Sequence, residues 1–288
     1  MGVKKYCIIV AGGSGRRMKS ALPKQFLLLE GKPLLMHTIE RFHSFDSTIE
    51  IIVVLPPEHH SLWESLVKEY SFSISHTVAA GGEERFHSVR AGLELVRQSG
   101  RDAAHDEVRA PAHDDTWAPA PHETRLPEQD EVRAPAHDEV RAPAHDEARA
   151  PADPPGHVTG EPLVAVHDGV RPLVSHDTIW RCYADAEEFG TAIPFIEPSD
   201  SVRIIDGDES RPLPRNEVRL IQTPQVFLSS LIMNAYDRPF DPSFTDDATV
   251  AEAAGVKIHL THGNRENIKI TTPEDLAVAH TLIRMLKQ

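Results

Sequence analysis

Cysteine is almost missing from this chain, with two in 288 residues. Two cysteines cannot build a disulfide framework, so a reducing, cytoplasmic setting is expected. Long apolar runs are missing as well. None reaches the roughly 18–20 residues that a membrane-spanning helix needs. The first strongly apolar run, Tyr6–Ala11, is too short for a secretory signal and has no cleavage site after it. Met1-Gly2 begins like a myristoylation signal, but Tyr6 stands where Ser or Thr is required. A basic excess is also absent: 30 Lys and Arg face 44 Asp and Glu, a formal net charge of −14. That argues against binding nucleic acid by blanket phosphate neutralisation.

Apolar residues make up 40% of the chain, enough to bury a real core, and the 23 prolines are unevenly placed. Residues 106–153 divide into six octads. Asp106–His113, Asp130–His137 and Asp138–His145 each read DEVRAPAH, and Asp146–Asp153 reads DEARAPAD. The two octads between, DDTWAPAP and HETRLPEQ, are degenerate. The block holds 7 prolines, 13 acids and 5 arginines, so it carries −8 of the −14. An eight-residue period matches no helical repeat, and Ala and Val offer little to bury. Such a composition does not offset the entropy of ordering, so a disordered, solvated insertion is expected. His113, His137 and His145 have no spacing that defines a metal site. With its polar flanks the insertion is placed at 99–161, leaving 1–98 and 162–288 as a single domain.

Outside the insertion, strand and helix patterns alternate. Tyr6–Val10, Glu50–Leu55, Ile74–Ala79 and Leu163–Val166 read as buried strands. Helices are expected after Pro33, over His59–Glu69, Glu84–Arg97, Asp177–Glu188, Asp246–Ala254 and Pro273–Met285. Thr191–Pro194 and Lys257–Leu260 are further strands. Ser201–Ile205 and Val218–Ile221 suggest an antiparallel pair near Asp206-Gly207, within an arm at 196–225. This is an α/β pattern, a mostly parallel sheet with helices on both faces. Ligands in such folds sit beyond the carboxyl ends of the strands.

Four segments carry chemistry. Ala11-Gly12-Gly13-Ser14-Gly15-Arg16-Arg17-Met18 follows the first strand. It is neither a Walker A loop nor a dinucleotide fingerprint, since no Gly-Lys-Ser/Thr follows and Met18 takes the third glycine position. Glycines with two arginines nonetheless suit a polyphosphate, and Lys24 in Pro23-Lys24-Gln25-Phe26 adds a second cation. Gly81-Gly82-Glu83-Glu84-Arg85-Phe86-His87-Ser88 permits close backbone approach before a helix. Val166-His167-Asp168-Gly169-Val170-Arg171-Pro172 places a carboxylate at a strand end, a candidate Mg²⁺ ligand, and Arg171 beside it. Asn267-Ile268-Lys269-Ile270 puts an unexplained cation in an apolar run. Singly, each pattern is also compatible with an ordinary turn or surface charge.

The ordered set AGGSGRRM, PKQF, GGEERFHS, VHDGVRP, IQTPQ, TDDA and NIKITTPEDL closely resembles the 2-C-methyl-D-erythritol 4-phosphate cytidylyltransferase family. The resemblance covers nearly all of residues 3–288 except the octads. It implies a Rossmann-like nucleotidyltransferase fold, a homodimer joined through a protruding β-arm, and Mg²⁺-dependent transfer of CMP from CTP to methylerythritol phosphate. Matched to the family, Arg17 and Lys24 are the transition-state stabilisers. Ala11, Gly12, Gly13, Gly82, Glu83 and Ser88 surround the cytidine. Arg171, Ser201, Arg215, Thr245 and Lys269 hold the acceptor phosphate, with Ser201 and Arg215 serving the partner's site. Asp168 is the metal ligand, and Glu266 a candidate for a second. Ser201 stands where Thr is usual, and Gly169-Val170 where Ala-Ala is usual.

Ribitol-5-phosphate cytidylyltransferase is the competing enzyme, sharing PKQF, the His-Asp-x-x-Arg-Pro segment and NIKITTP. The Ser-Gly-Arg-Arg-Met loop and Arg215 with Ile221-Gln222-Thr223-Pro224-Gln225 favour the methylerythritol enzyme. A sugar-1-phosphate nucleotidyltransferase is more distant. A non-catalytic protein that recruits a partner through the octads is the alternative of another class. Intact Arg17, Lys24, Asp168 and Lys269 argue against it.

Overall fold

The computed structural model describes residues 2–13, 18, 20, 22–108 and 160–286. Arg17 and all but the first three residues of the octad block lie outside the described residues. In chain order the elements are β1 (Lys5–Val10), β2 (Leu28–Leu29), β3 (Lys32–Pro33), α1 (Leu34–Phe45), β4 (Glu50–Leu55), α2 (His60–Glu69) and β5 (Thr77–Ala80). α3 (Arg85–Val108), β6 (Leu163–Asp168), α4 (His176–Phe189) and β7 (Thr191–Ile196) follow. Then come β8 (Val202–Asp206), β9 (Glu209–Leu213), β10 (Leu220–Ile221), β11 (Gln225–Leu228), α5 (Ser229–Tyr236), α6 (Asp247–Ala253), β12 (Leu260–His262) and α7 (Pro273–Leu286). The chain divides into two units, Met1–Asp102 with Val158–Gln288 and, separately, Ala103–His157. The sheet and the candidate site lie in the first.

The main sheet runs β10-β7-β11-β6-β1-β4-β5, with β12 pairing β7. β1 is parallel to both β4 and β6, and β4 to β5. β11 is inserted antiparallel between β6 and β7. The all-apolar runs form the central strands because both faces of this sheet are covered. Alternate residues of β1 go to opposite sides. Cys7 and Ile9 pack with α1, α2 and α4 residues such as Ile39, Phe42, Trp63 and Ile179. Tyr6 and Ile8 pack with α3, α5 and α6 residues such as Val89, Leu93, Ile232 and Val250. A third cluster joins Leu29, Leu34, Val170, Leu173 and Ile270 to α7 through Ala279 and Ile283. Each fully buried Leu or Ile here contributes about 1.5–3 kcal/mol. The α/β fold expected from the alternation is borne out. Among the described residues no helix is long and apolar enough to cross a membrane.

Helix ends follow local chemistry. The Ser175 hydroxyl accepts the Thr178 N–H at 3.0 Å to start α4, which stops at Gly190 with φ 85°. Asp246 and Thr249 form a reciprocal capping box at the start of α6.

Two strand expectations need correction. Val202–Asp206 pairs with Glu209–Leu213, not with Val218–Ile221. Gly207 takes φ +58° and closes a two-residue turn between immediate neighbours. Leu220–Ile221 joins the edge of the main sheet at β7 instead. The strand expected at Lys257–Leu260 begins only at Leu260. Before it, the Thr191 hydroxyl donates to the Lys257 carbonyl and accepts the His259 N–H, standing in for ladder bonds. β11 and α5 were not expected. β5 starts at Thr77, and α3 continues past Arg97 to Val108.

Candidate active site

Register sets the site. Val10 of β1 lies opposite Val54 of β4 on one side and Asp168 of β6 on the other. Their carboxyl ends therefore open onto one region, and β1 and β6 each continue into a segment with chemistry. The Ala11 N–H donates to the Val54 carbonyl at 2.9 Å, carrying the glycine loop toward β4. The Gly81 N–H donates to the Leu55 carbonyl at 2.7 Å and brings Gly81-Gly82 alongside.

Ser88 is buried on the first turns of α3, and its hydroxyl donates to the Glu84 carbonyl and accepts the Gly82 N–H, both at 3.3 Å. This folds the Gly82–Glu84 loop back on its own helix. A methyl on Gly82 would lie 2.4 Å from the His87 Cβ, which only glycine avoids. A Cβ on Gly12 would sit 3.9 Å from the Ser88 hydroxyl, so the two loops meet. One on Gly13 would lie 2.9 Å from Lys24 Cε and 3.2 Å from its ammonium. The Lys24 side chain, from the 3₁₀ turn Lys24–Phe26, is thus laid against the glycine loop.

Asp168, 7% exposed, is the centre of a charge cluster. Its Oδ2 accepts from Arg171 Nε at 3.0 Å and lies 3.1 Å from the Lys269 ammonium. Its Oδ1 is 3.9 Å from Arg85 Nε. Burial would push the Asp168 carboxyl up, but Lys269, Arg85 and Arg171 outweigh it and hold it far below the usual carboxylate range. Arg171 Nη1 also donates to the Asn267 carbonyl at 2.7 Å. Asn267, fully buried, donates through Nδ2 to the Thr223 carbonyl at 2.8 Å, and the Ile270 N–H donates to the Val170 carbonyl at 3.0 Å. These bonds fix the Asn267–Ile270 run, and that is why Lys269 projects at Asp168.

Arg85, the first residue of α3, was not singled out from the sequence. Its two Nη groups donate to the two oxygens of Asp247, each at 2.6 Å, and Asp247 also accepts the Tyr236 hydroxyl at 2.7 Å. Burial opposes the charge on Arg85, but Asp247 more than offsets it and raises the guanidinium pKa further. His167 was missed as well. It is fully buried between Thr223 and the Arg171 carbonyl, and burial pulls its imidazole from 6.5 down to about 4. Arg85, Asp247 and His167 stand inside quoted motifs, so motif membership was the available signal.

Other expected residues are exposed. Thr245 is exposed just before α6, its N–H donating to the Thr249 hydroxyl at 3.1 Å. Ser201 and Arg215 are exposed on the arm, where Arg215 donates to the Ser199 carbonyl at 2.8 Å. Glu83 is exposed at the loop tip.

The donor set does not fit a resident Mg²⁺ on Asp168. Its oxygens already face three cations, the Asp247 carboxylate is taken by Arg85 and Tyr236, and Glu266 accepts from Asn264 Nδ2 at 3.1 Å. Among the described residues no three His, Cys, Asp or Glu side chains meet in a geometry that could hold a metal ion.

A glycine loop with a lysine laid on it, beside arginines and a lysine gathered on a buried aspartate at the sheet's carboxyl ends, defines a nucleotidyltransferase-type α/β site. The family model for 2-C-methyl-D-erythritol 4-phosphate cytidylyltransferase matches residues 6–134 and 157–285. The protein of that name from Bacteroides thetaiotaomicron is 41% identical over 281 residues, covering 98% of this chain and 100% of the relative. The one from Bacteroides fragilis is 41% identical over 276 residues, covering 96% and 98%. The crystal structure of the Thermus thermophilus protein of that name superposes with a TM-score of 0.61 at 25% identity, covering 99% and 100%. The chain belongs to the 2-C-methyl-D-erythritol 4-phosphate cytidylyltransferase family.

Proposed function

We propose that this protein transfers CMP from CTP to 2-C-methyl-D-erythritol 4-phosphate, releasing pyrophosphate. The observation that carries the reading is the Arg171–Asp168–Lys269 cluster, set beyond the same strand ends as the Gly12-Gly13 loop and Lys24. An acceptor phosphate oxygen forms the new bond to the α-phosphorus of CTP. The bond from that phosphorus to the α–β bridging oxygen breaks, and its electron pair leaves with pyrophosphate. A phosphate monoester is largely dianionic at neutral pH, so no protein base is required. Catalysis then consists of positioning and charge stabilisation. Lys24 and Arg17 neutralise the triphosphate. Ala11, Gly12, Gly13, Gly82, Glu83 and Ser88 hold the cytidine through backbone groups and the small hydroxyl. Arg171, Lys269 and Thr245 take the acceptor phosphate.

Ser201 and Arg215 complete the acceptor site of a second subunit. The β8–β9 hairpin forms a two-stranded sheet of its own, and Ile205 on it is 72% exposed, which supports a homodimer built through this arm. Mg²⁺, which the family resemblance implies, finds no ready seat among these carboxylates, and no step is assigned to it. A cytoplasmic location is part of the reading.

Pyrophosphate release from CTP, with methylerythritol phosphate against ribitol 5-phosphate, tests this. Release with the first acceptor is expected. Preference for ribitol 5-phosphate would transfer the assignment to the competing enzyme, and no release with either from folded protein would remove both. The names of the relatives favour the first acceptor.

A further inference from the structure

Asp168 carries one negative charge yet faces three cations from three separate segments: Arg85 at the start of α3, Arg171 after β6, and Lys269 before α7. The three are not held alike. Arg171 and Lys269 sit at hydrogen-bond distance on Oδ2, at 3.0 and 3.1 Å. Arg85 stands back at 3.9 Å from Oδ1, because its guanidinium fork is committed to Asp247 by two bonds of 2.6 Å. Asp247 is in turn anchored by the Tyr236 hydroxyl at 2.7 Å and by its place in the first turn of α6. Arg85 is thus held close enough to Asp168 to act on it through its field and too firmly elsewhere to bond it.

We propose that Arg85 is a positioning residue that sets how tightly Asp168 holds Arg171 and Lys269, and so how readily those two cations pass to an acceptor phosphate. The proposal rests on the cytidylyl-transfer reading, which assigns Arg171 and Lys269 to that phosphate. An incoming phosphate must compete with Asp168 for both cations. The positive field of Arg85 on Oδ1 weakens the hold of Asp168 and favours the phosphate. Asp247 limits that field by offsetting the charge of Arg85 and holding it back. Removing Arg85 and removing the charge of Asp247 therefore push acceptor affinity in opposite directions. A purely structural ion pair gives no such opposition, since breaking it from either side loosens the same contact between α3 and α6.

The test compares R85Q, R85K and D247N with the unmodified full-length chain. The readouts are KM and kcat for methylerythritol phosphate at saturating CTP, KM for CTP, and thermal melting as a control of folding. R85Q is expected to raise the acceptor KM fivefold or more, with a smaller change in CTP KM. R85K, which keeps the charge but not the fork, is expected to stay within threefold of the unmodified protein. D247N is expected to leave the acceptor KM unchanged or lower it. A rise in acceptor KM with D247N overturns the proposal, as does an unchanged acceptor KM with folded R85Q or a loss in R85K equal to that in R85Q. If R85Q does not fold, the direction of the D247N shift decides alone. Absence of turnover in the unmodified protein would instead refute the cytidylyl-transfer reading, and this inference with it.

Discussion

Thr223 and His167 are joined at 3.1 Å by a hydrogen bond whose direction is fixed from the far side of the ring. His167 Nε2 lies 3.1 Å from the Arg171 carbonyl, which can only accept, so Nε2 carries the proton. Nδ1 is then the acceptor, and the Thr223 hydroxyl donates to it while accepting the Asp168 N–H at 3.0 Å. The chain of bonds runs from Asp168 through Thr223 and His167 to Arg171. It braces the turn that presents the Asp168–Arg171 pair. Thr223→Val keeps the shape but leaves the buried Asp168 N–H and His167 Nδ1 without partners, which costs about 1–3 kcal/mol for each group. Chemical denaturation should show a loss of that order, together with a raised KM for the acceptor. An unchanged midpoint would mean that the turn does not depend on the hydroxyl.

The same network makes stability depend on pH. Burial lowers the His167 pKa from 6.5 to about 4, so the folded state keeps the imidazole neutral where the unfolded chain takes up a proton. The unfolded state binds more protons between those two values, and stability therefore falls as pH drops from 6.5 toward 4. The stabilisation is fully present above 6.5 and lost by about 4, a swing on the order of 3 kcal/mol. Urea titrations at pH 7 and 4.5 on the unmodified chain and His167→Gln isolate it. The variant is expected to be less stable at pH 7 and flatter across the window. Equal slopes would show that His167 does not titrate with unfolding.

The strands were legible where burial on both faces makes a continuous apolar run, as in Tyr6–Val10 and Glu50–Leu55. Helix starts were legible at Pro33 and Asp246, where backbone geometry and capping chemistry are local. β11 was hidden because four residues, Gln225–Leu228, give no period to read, and its neighbours β6 and β7 are distant in sequence. The hairpin partner of Val202–Asp206 was misplaced because Ser210-Arg211-Pro212 reads as polar and broken. Its strand character comes from pairing, not from its own side chains. The site followed the same division. Lys24 and Lys269 stood out as charges, one behind a proline and the other inside an apolar run. Arg85 and Asp247 did not, since an ion pair across 162 positions exists only once the sheet has brought α3 and α6 together.

Gly13 and Lys24 provide a graded test of the triphosphate clamp. Lys24→Ala removes the ammonium that lies against the loop and should reduce turnover by orders of magnitude with melting unchanged. Gly13→Ala places a methyl 2.9 Å from Lys24 Cε, within a contact that a flexible side chain escapes by shifting. That variant should also fold normally and lose turnover by a smaller factor, because the cation is displaced and not removed. Steady-state kinetics with circular-dichroism melts on both variants check this. Full turnover in Lys24→Ala would end its role as a stabiliser of transferred charge.

Deletion of the octads separates the catalytic body from the acidic segment. Every site residue described above belongs to the unit built from Met1–Asp102 and Val158–Gln288. Asp106–Asp153 contributes −8 of the net charge of −14 and only Val, Leu and one Trp beyond alanine as apolar side chains. Closing a loop shortened by these residues changes its entropy only logarithmically with length, a few tenths to about 1 kcal/mol. α3 loses only its last three residues, Asp106–Val108. Turnover of CTP with the acceptor should therefore stay within twofold of the full chain. Removing so much negative charge should also weaken the self-repulsion that opposes binding of anionic substrates at low salt, so any change in KM for CTP should be downward and should vanish at high salt. A large loss of turnover in folded, soluble deletion protein would give the octads a part in the site itself.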